Sequence, residues 1–147
     1  MLVLPGKRGR ESDELEQLLE ALQIRDKVIF PGYLNPETLC CFYNGAAITV
    51  YPSICEGFGL PPLEAMACGT PVIAARSSSL PEVLGDAALY FNPFDSMELA
   101  TQLHRVSTSA VLRHNLTEKG LKKAADYSWE KVAAATLSVY TDILNAT

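Results

Sequence analysis

Ala47-Ile48-Thr49-Val50-Tyr51 is a short, continuous apolar run, and it leads straight into Pro52-Ser53-Ile54-Cys55-Glu56-Gly57-Phe58-Gly59-Leu60-Pro61-Pro62-Leu63-Glu64. The run reads as a strand covered on both faces, as parallel strands usually are. Gly57 and Gly59 shape the loop that follows, and Pro61 and Pro62 stand where the first turn of a helix tolerates proline. The helix holding Met66 is stopped by Gly69, and Thr70-Pro71 hands the chain to another apolar run, Val72 to Ala74. Strand, loop, helix and strand make a parallel crossover unit, and this unit decides the fold.

The same alternation extends outward in both directions. Leu2 to Leu4, Val28 to Phe30 and Ala88 to Phe91 are further short apolar runs of strand type. Asn35 is a good N-cap, with Pro36 at the first helical position of a helix running through Tyr43. Ser79-Leu80-Pro81-Glu82 and Asp95-Ser96-Met97-Glu98 have capping-box spacing and predict two more helix starts. After Phe91 the strands stop, and 95–106 and 110–127 read as helical. A final stretch sets Trp129, Val132, Ala133, Thr136, Val139, Tyr140, Ile143 and Leu144 on one face at 3.6-residue spacing. Such a stripe must pack on something, in this domain or a neighbouring one, and Trp129 is expected to anchor it. The pattern predicts an α/β fold: an open parallel Rossmann-like sheet with helices on both faces and a helical C-terminal tail.

The 147 residues suit one domain spanning 1–147, with 48% hydrophobic and 20% charged residues and a net charge of −5. An acidic balance argues against a nucleic-acid partner, because a phosphate backbone demands a basic footprint. The apolar runs are too short to cross a bilayer, and no signal-peptide pattern opens the chain. A buried strand beginning almost at Met1 predicts that the chain is a piece of something larger. Cys40, Cys41, Cys55 and Cys68 include no Cys-x-x-Cys spacing, and Cys68 reads as a small core residue on a helix. His104 and His114 fall among surface-type residues and read as solvated.

Chemistry concentrates in the loop after Tyr51. In open α/β sheets ligands bind at the carboxyl ends of strands. Gly57 and Gly59 let backbone approach a ligand with no Cβ in the way. The helix behind them ends in a positive dipole and unpaired N–H groups, a natural seat for phosphate. Glu56, ahead of the glycines, has no obvious structural task. Glu64 taken alone reads as a helix-start carboxylate favoured by the dipole.

Taken together these residues resemble the donor-binding lobe of group 1 (family 4) retaining glycosyltransferases of GT-B architecture. That family's hallmark is two glutamates separated by seven residues, here in Glu56-Gly57-Phe58-Gly59-Leu60-Pro61-Pro62-Leu63-Glu64-Ala65. The likeness continues through Met66-Ala67-Cys68-Gly69-Thr70-Pro71-Val72, Leu80-Pro81-Glu82-Val83 and Gly85-Asp86-Ala87-Ala88. Phe30-Pro31-Gly32-Tyr33 and Tyr127-Ser128-Trp129-Glu130 share the family's rhythm.

The resemblance implies transfer of a sugar from a nucleotide-diphosphate sugar to an acceptor with retained configuration. Glu56 would be the catalytic-site glutamate that lies against the sugar, Gly57, Phe58, Gly59 and Leu60 would face sugar and diphosphate, and Glu64 would hold the ribose. A carboxylate suits a vicinal diol and would repel phosphate, so this division is physically sensible. No cofactor is expected beyond the donor substrate, and no metal, since Asp-x-Asp and clusters with ligand spacing are absent from the sequence. The resemblance also implies that an upstream first strand-loop with its Arg and Lys grip, and an N-terminal acceptor-binding lobe, are missing partners of this chain. The isolated lobe is then expected to be inactive. Cytoplasmic placement follows from the same likeness; association with the inner face of a membrane is left open, since related enzymes touch membranes through the lobe missing here.

Lys7, Arg8 and Arg10 follow the first strand and stand in the right general place for a nucleotide rim. The preferred reading is nevertheless a solvated loop capped by Glu11, Ser12 and Asp13. Tyr33 and Leu34 could border the base or serve as turn and packing residues. Ser79 has its capping task, leaving Ser77 and Ser78 as candidate ligand contacts, while Phe58 reads as packing under the loop. An alternative function is a non-catalytic nucleotide-binding or interaction module of the same fold. An epimerase or phosphorylase of similar architecture is disfavoured by the glutamate pair.

Overall fold

A computed structural model describes residues 1–7, 9 and 12–145 of the chain. They divide into two compact units, Met1–Cys41 and Phe42–Thr147.

The first unit pairs β1 (Leu2–Pro5) with β2 (Val28–Gly32) in parallel, with Leu2 opposite Val28 and Val3 opposite Ile29. The register shifts between Val3 and Pro5, and the Gly6 N–H then donates to the Gly32 carbonyl at 2.9 Å. Between the strands lie α1 (Ser12–Ala21) and a 3₁₀ turn over Arg25–Lys27. Helix α1 occupies the segment whose opening reads in sequence as a polar loop; Leu15, Leu18, Leu19 and Leu22 recur at helical spacing, but the charges between them mask the stripe. Arg25 ties the turn down, bonding the Val28 carbonyl at 3.0 Å and pairing with Glu16 while lying 5.2 Å over the Phe30 ring. Helix α2 (Pro36–Gly45) opens as its sequence predicts, with Asn35 Oδ1 accepting from the Thr38 N–H at 2.8 Å.

The second unit is a three-stranded parallel ladder ordered β3 (Thr49–Tyr51), β4 (Val72–Ala75), β5 (Ala88–Phe91). Val72, Ile73, Ala74 and Ala75 are completely buried, as a central strand flanked by helices requires. Around β4 pack α3 (Leu60–Ala67), α4 (Leu80–Leu84), a 3₁₀ turn over Gly85–Ala87, α5 (Ser96–Thr108) and α6 (Ala110–Ala125). Met66, Ile73, Leu80, Leu84 and Val106 carry the core, each worth roughly 1.5–3 kcal/mol when fully buried. Helix α6 approaches α3 closely because Gly120 presents no side chain: a Cβ there would stand 3.1 Å from Met66 Cγ. Helix α3 ends as foreseen at Gly69 (φ +77), whose N–H bonds Met66 while the Thr70 N–H bonds Ala65. That pair of bonds satisfies the last carbonyls of the helix.

Three sequence readings need correction here. Ser79 does not cap α4, since its side chain makes no cap bond and its hydroxyl donates instead to Glu56 O at 3.0 Å. Asp95 does cap α5, accepting from the N–H groups of Met97 and Glu98, but Glu98 reaches back to Asn92 N rather than to Asp95 N. Trp129 does not anchor α7 (Trp129–Asn145): it is 75% exposed, and no residue of this helix is buried. Its apolar stripe is present but is not covered among the described residues. No described helix is long and apolar enough to cross a membrane.

Candidate functional site

Strand β3 ends at Tyr51, and its phenol reaches forward five residues to donate a 2.6 Å hydrogen bond to Glu56 Oε1. A bond of that length to an ionised acceptor is of the strong, charge-assisted kind. It holds the half-buried Glu56 carboxyl below its ordinary range, with the Ser53 hydroxyl as a lesser contributor. Burial first, and then the Glu56 bond, push Tyr51 well above the usual phenol range. The charge of Glu64 also acts on Tyr51, and on Tyr43, whose phenol burial raises to about 12. Tyr51 therefore stays protonated as a donor to the Glu56 carboxylate.

The loop between Tyr51 and α3 is held from outside by three consecutive hydroxyls in the turn after β4. Ser77 Oγ donates to Ser53 O at 2.7 Å. Ser78 Oγ grips Glu56 twice, donating to its carbonyl at 2.9 Å and accepting from its N–H at 3.2 Å. Ser78 does this from φ +53, a conformation that costs a non-glycine residue roughly 1 kcal/mol or more. The sequence expectation that Ser77 and Ser78 remain for ligand is thus corrected: their hydroxyls are committed to the chain's own loop.

The two loop glycines prove to have different reasons. Gly59 sits at φ +103, and a Cβ there would stand 2.7 Å from Cδ2 of fully buried Leu80. Its glycine is demanded by the fold itself. Around Gly57 a Cβ would meet nothing within 4 Å, so the loop's own packing leaves open space beside it. Gly59 is the N-cap of α3, followed by Leu60 and then Pro61 and Pro62. Of the four N–H positions a helix leaves unpaired at its start, the prolines delete two, so Gly59 and Leu60 supply the donors. The dipole is unaffected by that deletion, which narrows where an anion could be held.

Phe58 is 40% exposed and packs edge-on to Tyr127 at 5.4 Å between centroids, in keeping with a packing role. Leu60 is 46% exposed at the helix start, and Glu64 is exposed one turn further on. The second unit thus brings Glu56, Gly57, Phe58, Gly59, Leu60 and Glu64 to one loop and helix start. In the first unit Lys7 and Tyr33 line an open cavity of about 510 Å³ with Leu4, Gly6, Phe30 and Gly32 at the carboxyl ends of β1 and β2. Leu34 is half-buried beside Tyr33 in sequence. Arg8, Arg10 and Glu11 lie outside the described residues. Among the described residues no three His, Cys, Asp or Glu side chains gather where they could hold a metal ion.

Sequence reasoning missed Tyr51 and misjudged the serines. In sequence Tyr51 reads only as the last residue of a strand; the available signal is a hydroxyl-bearing aromatic five residues ahead of an isolated glutamate. The serine run was visible, but which carbonyls it faces depends on β4 lying beside β3.

Comparison with known proteins is consistent along nearly the whole chain. The family model described as "Glycosyl transferases group 1" matches residues 1–123. The O-antigen chain mannosyltransferase B of Escherichia coli is 40% identical over 139 residues, 95% of this chain and 36% of that protein. Among solved structures, sucrose-phosphate synthase from Thermosynechococcus elongatus superposes with a TM-score of 0.89 at 30% identity, covering 99% of this chain and 39% of the other. The C-terminal domain of a group 1 family glycosyl transferase (LpcC) from Francisella tularensis gives 0.71 at 30% identity, covering 81% of this chain and 64% of that one. The chain spans between 15% and 36% of the length of the curated relatives it matches.

Proposed function

The chain belongs to the group 1 glycosyl transferases, and from that membership we propose that it binds the donor in transfer of a sugar from a nucleotide-diphosphate sugar, with retention at the anomeric carbon. The observation carrying this reading is Glu56, held ionised by Tyr51 beside the open space at Gly57 and the start of α3. A carboxylate so held is an acceptor, suited to sugar hydroxyls. It is poorly suited to the general acid of a glycosidase, which needs a raised pKa. The Gly59 and Leu60 N–H groups and the helix dipole would face the diphosphate. Exposed Glu64, one turn on, would take the ribose diol, with both carboxylates kept off the phosphates they would repel.

In the proposed reaction the acceptor oxygen bonds to the anomeric carbon as the carbon–oxygen bond to diphosphate breaks. The leaving oxygen takes the electron pair and receives the acceptor's proton on the same face. Glu56 orients the sugar throughout and transfers no proton. The acceptor, and any further lobe that holds it, belong to this proposal as well, since proximity of two substrates needs both held. Lys7, Arg8, Tyr33 and Leu34 are proposed nucleotide contacts on the strength of their place after strands, and the cytoplasm is the proposed compartment. No cofactor or metal enters the proposal.

Calorimetry against UDP, GDP and ADP and their glucose and mannose conjugates tests it. Weak binding of one diphosphate is expected, strengthened by its sugar; mannose is the first sugar to try, given the name of the E. coli relative. Glu64→Ala should weaken every ligand of that base, and Glu56→Ala should abolish the gain from the sugar. Absence of binding by any nucleotide at millimolar concentration overturns the reading.

A further inference from the structure

Three serines in a row, Ser77, Ser78 and Ser79, direct all their hydroxyls at one four-residue stretch, Ser53–Glu56. Structural convenience alone does not account for the middle one. At φ +53 glycine would be the low-cost residue, yet the chain keeps a serine there. What serine adds is an Oγ that meets both the N–H and the carbonyl of Glu56, and so fixes the rotation of that residue about its own Cα. Ser79 adds a second donor to the same carbonyl at 3.0 Å. From the other side Tyr51 holds the side chain by Oε1. Backbone and carboxylate are thus immobilised by two different elements, the end of β3 and the turn after β4.

We propose that Ser78, with Ser77 and Ser79, is a positioning residue for Glu56: the β4–α4 turn sets the direction of the Glu56 carboxylate, and Tyr51 locks it. The proposal deepens the donor-binding reading and rests on it for its functional consequence. A carboxylate that reads sugar hydroxyls must be held in one direction before the sugar arrives, because ordering it afterwards would subtract from affinity. Loss of the clamp should leave contacts made by Glu64 and the α3 start unchanged. The sugar's contribution alone should fall.

Ser78→Gly isolates this effect, since it removes the hydroxyl while relieving the left-handed strain, and the fold should survive. The full chain and its Ser78→Gly and Tyr51→Phe variants are compared by calorimetry with a nucleoside diphosphate and its sugar conjugate, and by amide hydrogen exchange at residues 53–57. Both variants are expected to bind the diphosphate as the parent does, and each to lose about tenfold of the gain from the sugar, the worth of one good hydrogen bond. The Glu56 amide should exchange at least about tenfold faster in Ser78→Gly. Retention of the full sugar gain by Ser78→Gly overturns the positioning role and leaves the donor reading intact. If the parent binds no nucleotide, the donor reading fails instead. Hydrogen exchange then decides the clamp alone: unchanged protection of Glu56 in Ser78→Gly would overturn it.

Discussion

Gly57 and Gly59 stand two residues apart in one loop, and alanine at each should fail for a different reason. At Gly59 the added methyl would lie 2.7 Å from Leu80 Cδ2. Leu80 is fully buried, so it cannot swing into solvent to make room. Forcing a side chain into such a core costs about 1–3 kcal/mol, and the backbone at φ +103 adds roughly 1–2 kcal/mol for a residue bearing a Cβ. The sum, about 2–5 kcal/mol, is a large share of the 5–15 kcal/mol typical of a domain. At roughly 2–4 °C per kcal/mol for a chain of this size, Tm should fall by at least about 4 °C. At Gly57 the methyl would meet nothing within 4 Å, and Tm should move by less than about 2 °C. Nucleotide-sugar binding should nevertheless suffer in Gly57→Ala, because the open space is where the ligand is proposed to come close. Thermal unfolding by circular dichroism measures the first quantity, and calorimetry on the same samples the second. A Gly59→Ala protein as stable as the parent would refute the packing argument. A Gly57→Ala protein that is destabilised as strongly as Gly59→Ala would show that the loop glycines share one structural cause.

Tyr51→Phe should return the Glu56 carboxyl toward its ordinary value, read by carbon NMR titration. Because the folded value of Glu56 is depressed and that of Tyr51 raised, the stabilisation from this contact should be present between about pH 5 and 10; it should fade as pH falls through the folded Glu56 value or rises above the ordinary phenol value. A parent and a Tyr51→Phe variant with identical Glu56 titrations would contradict it. Gly120→Ala sets a helix-propensity gain of about 1 kcal/mol against crowding of Met66 Cγ and Cβ at 3.1 and 3.3 Å. Overpacking should win, with a net loss of about 1 kcal/mol in urea unfolding; a gain in stability would mean that α6 moves away from α3 freely. Truncation after Tyr127 removes α7, which buries no side chain, and should shift the main thermal transition by no more than a few degrees.

Much of the fold was readable because parallel strands buried on both faces are written as uninterrupted apolar runs. Val72-Ile73-Ala74-Ala75 could hardly be anything else once Gly69-Thr70-Pro71 had ended the helix before it. Helix α1 was harder, since its leucines alternate with charges that its exposed face requires. The tail shows the opposite limit. Its stripe predicted a helix correctly but left open what covers it, because periodicity reports that one face is apolar and not what lies against it.

At the site, the sequence by itself determined the family, the glutamate pair and the glycine turn between strand and helix, since those are local and ordered along the chain. Tertiary structure alone decided what each of them is for. Only the neighbouring β4 shows that Ser77 to Ser79 clamp Glu56 rather than await a ligand or cap a helix. Only the core position of Leu80 distinguishes Gly59, which the fold requires, from Gly57, which it does not. Hydrogen bonds and close contacts across 20 or more residues depend on where strands are laid side by side. One sequence read in one dimension contains the groups that will meet, but not the meeting itself.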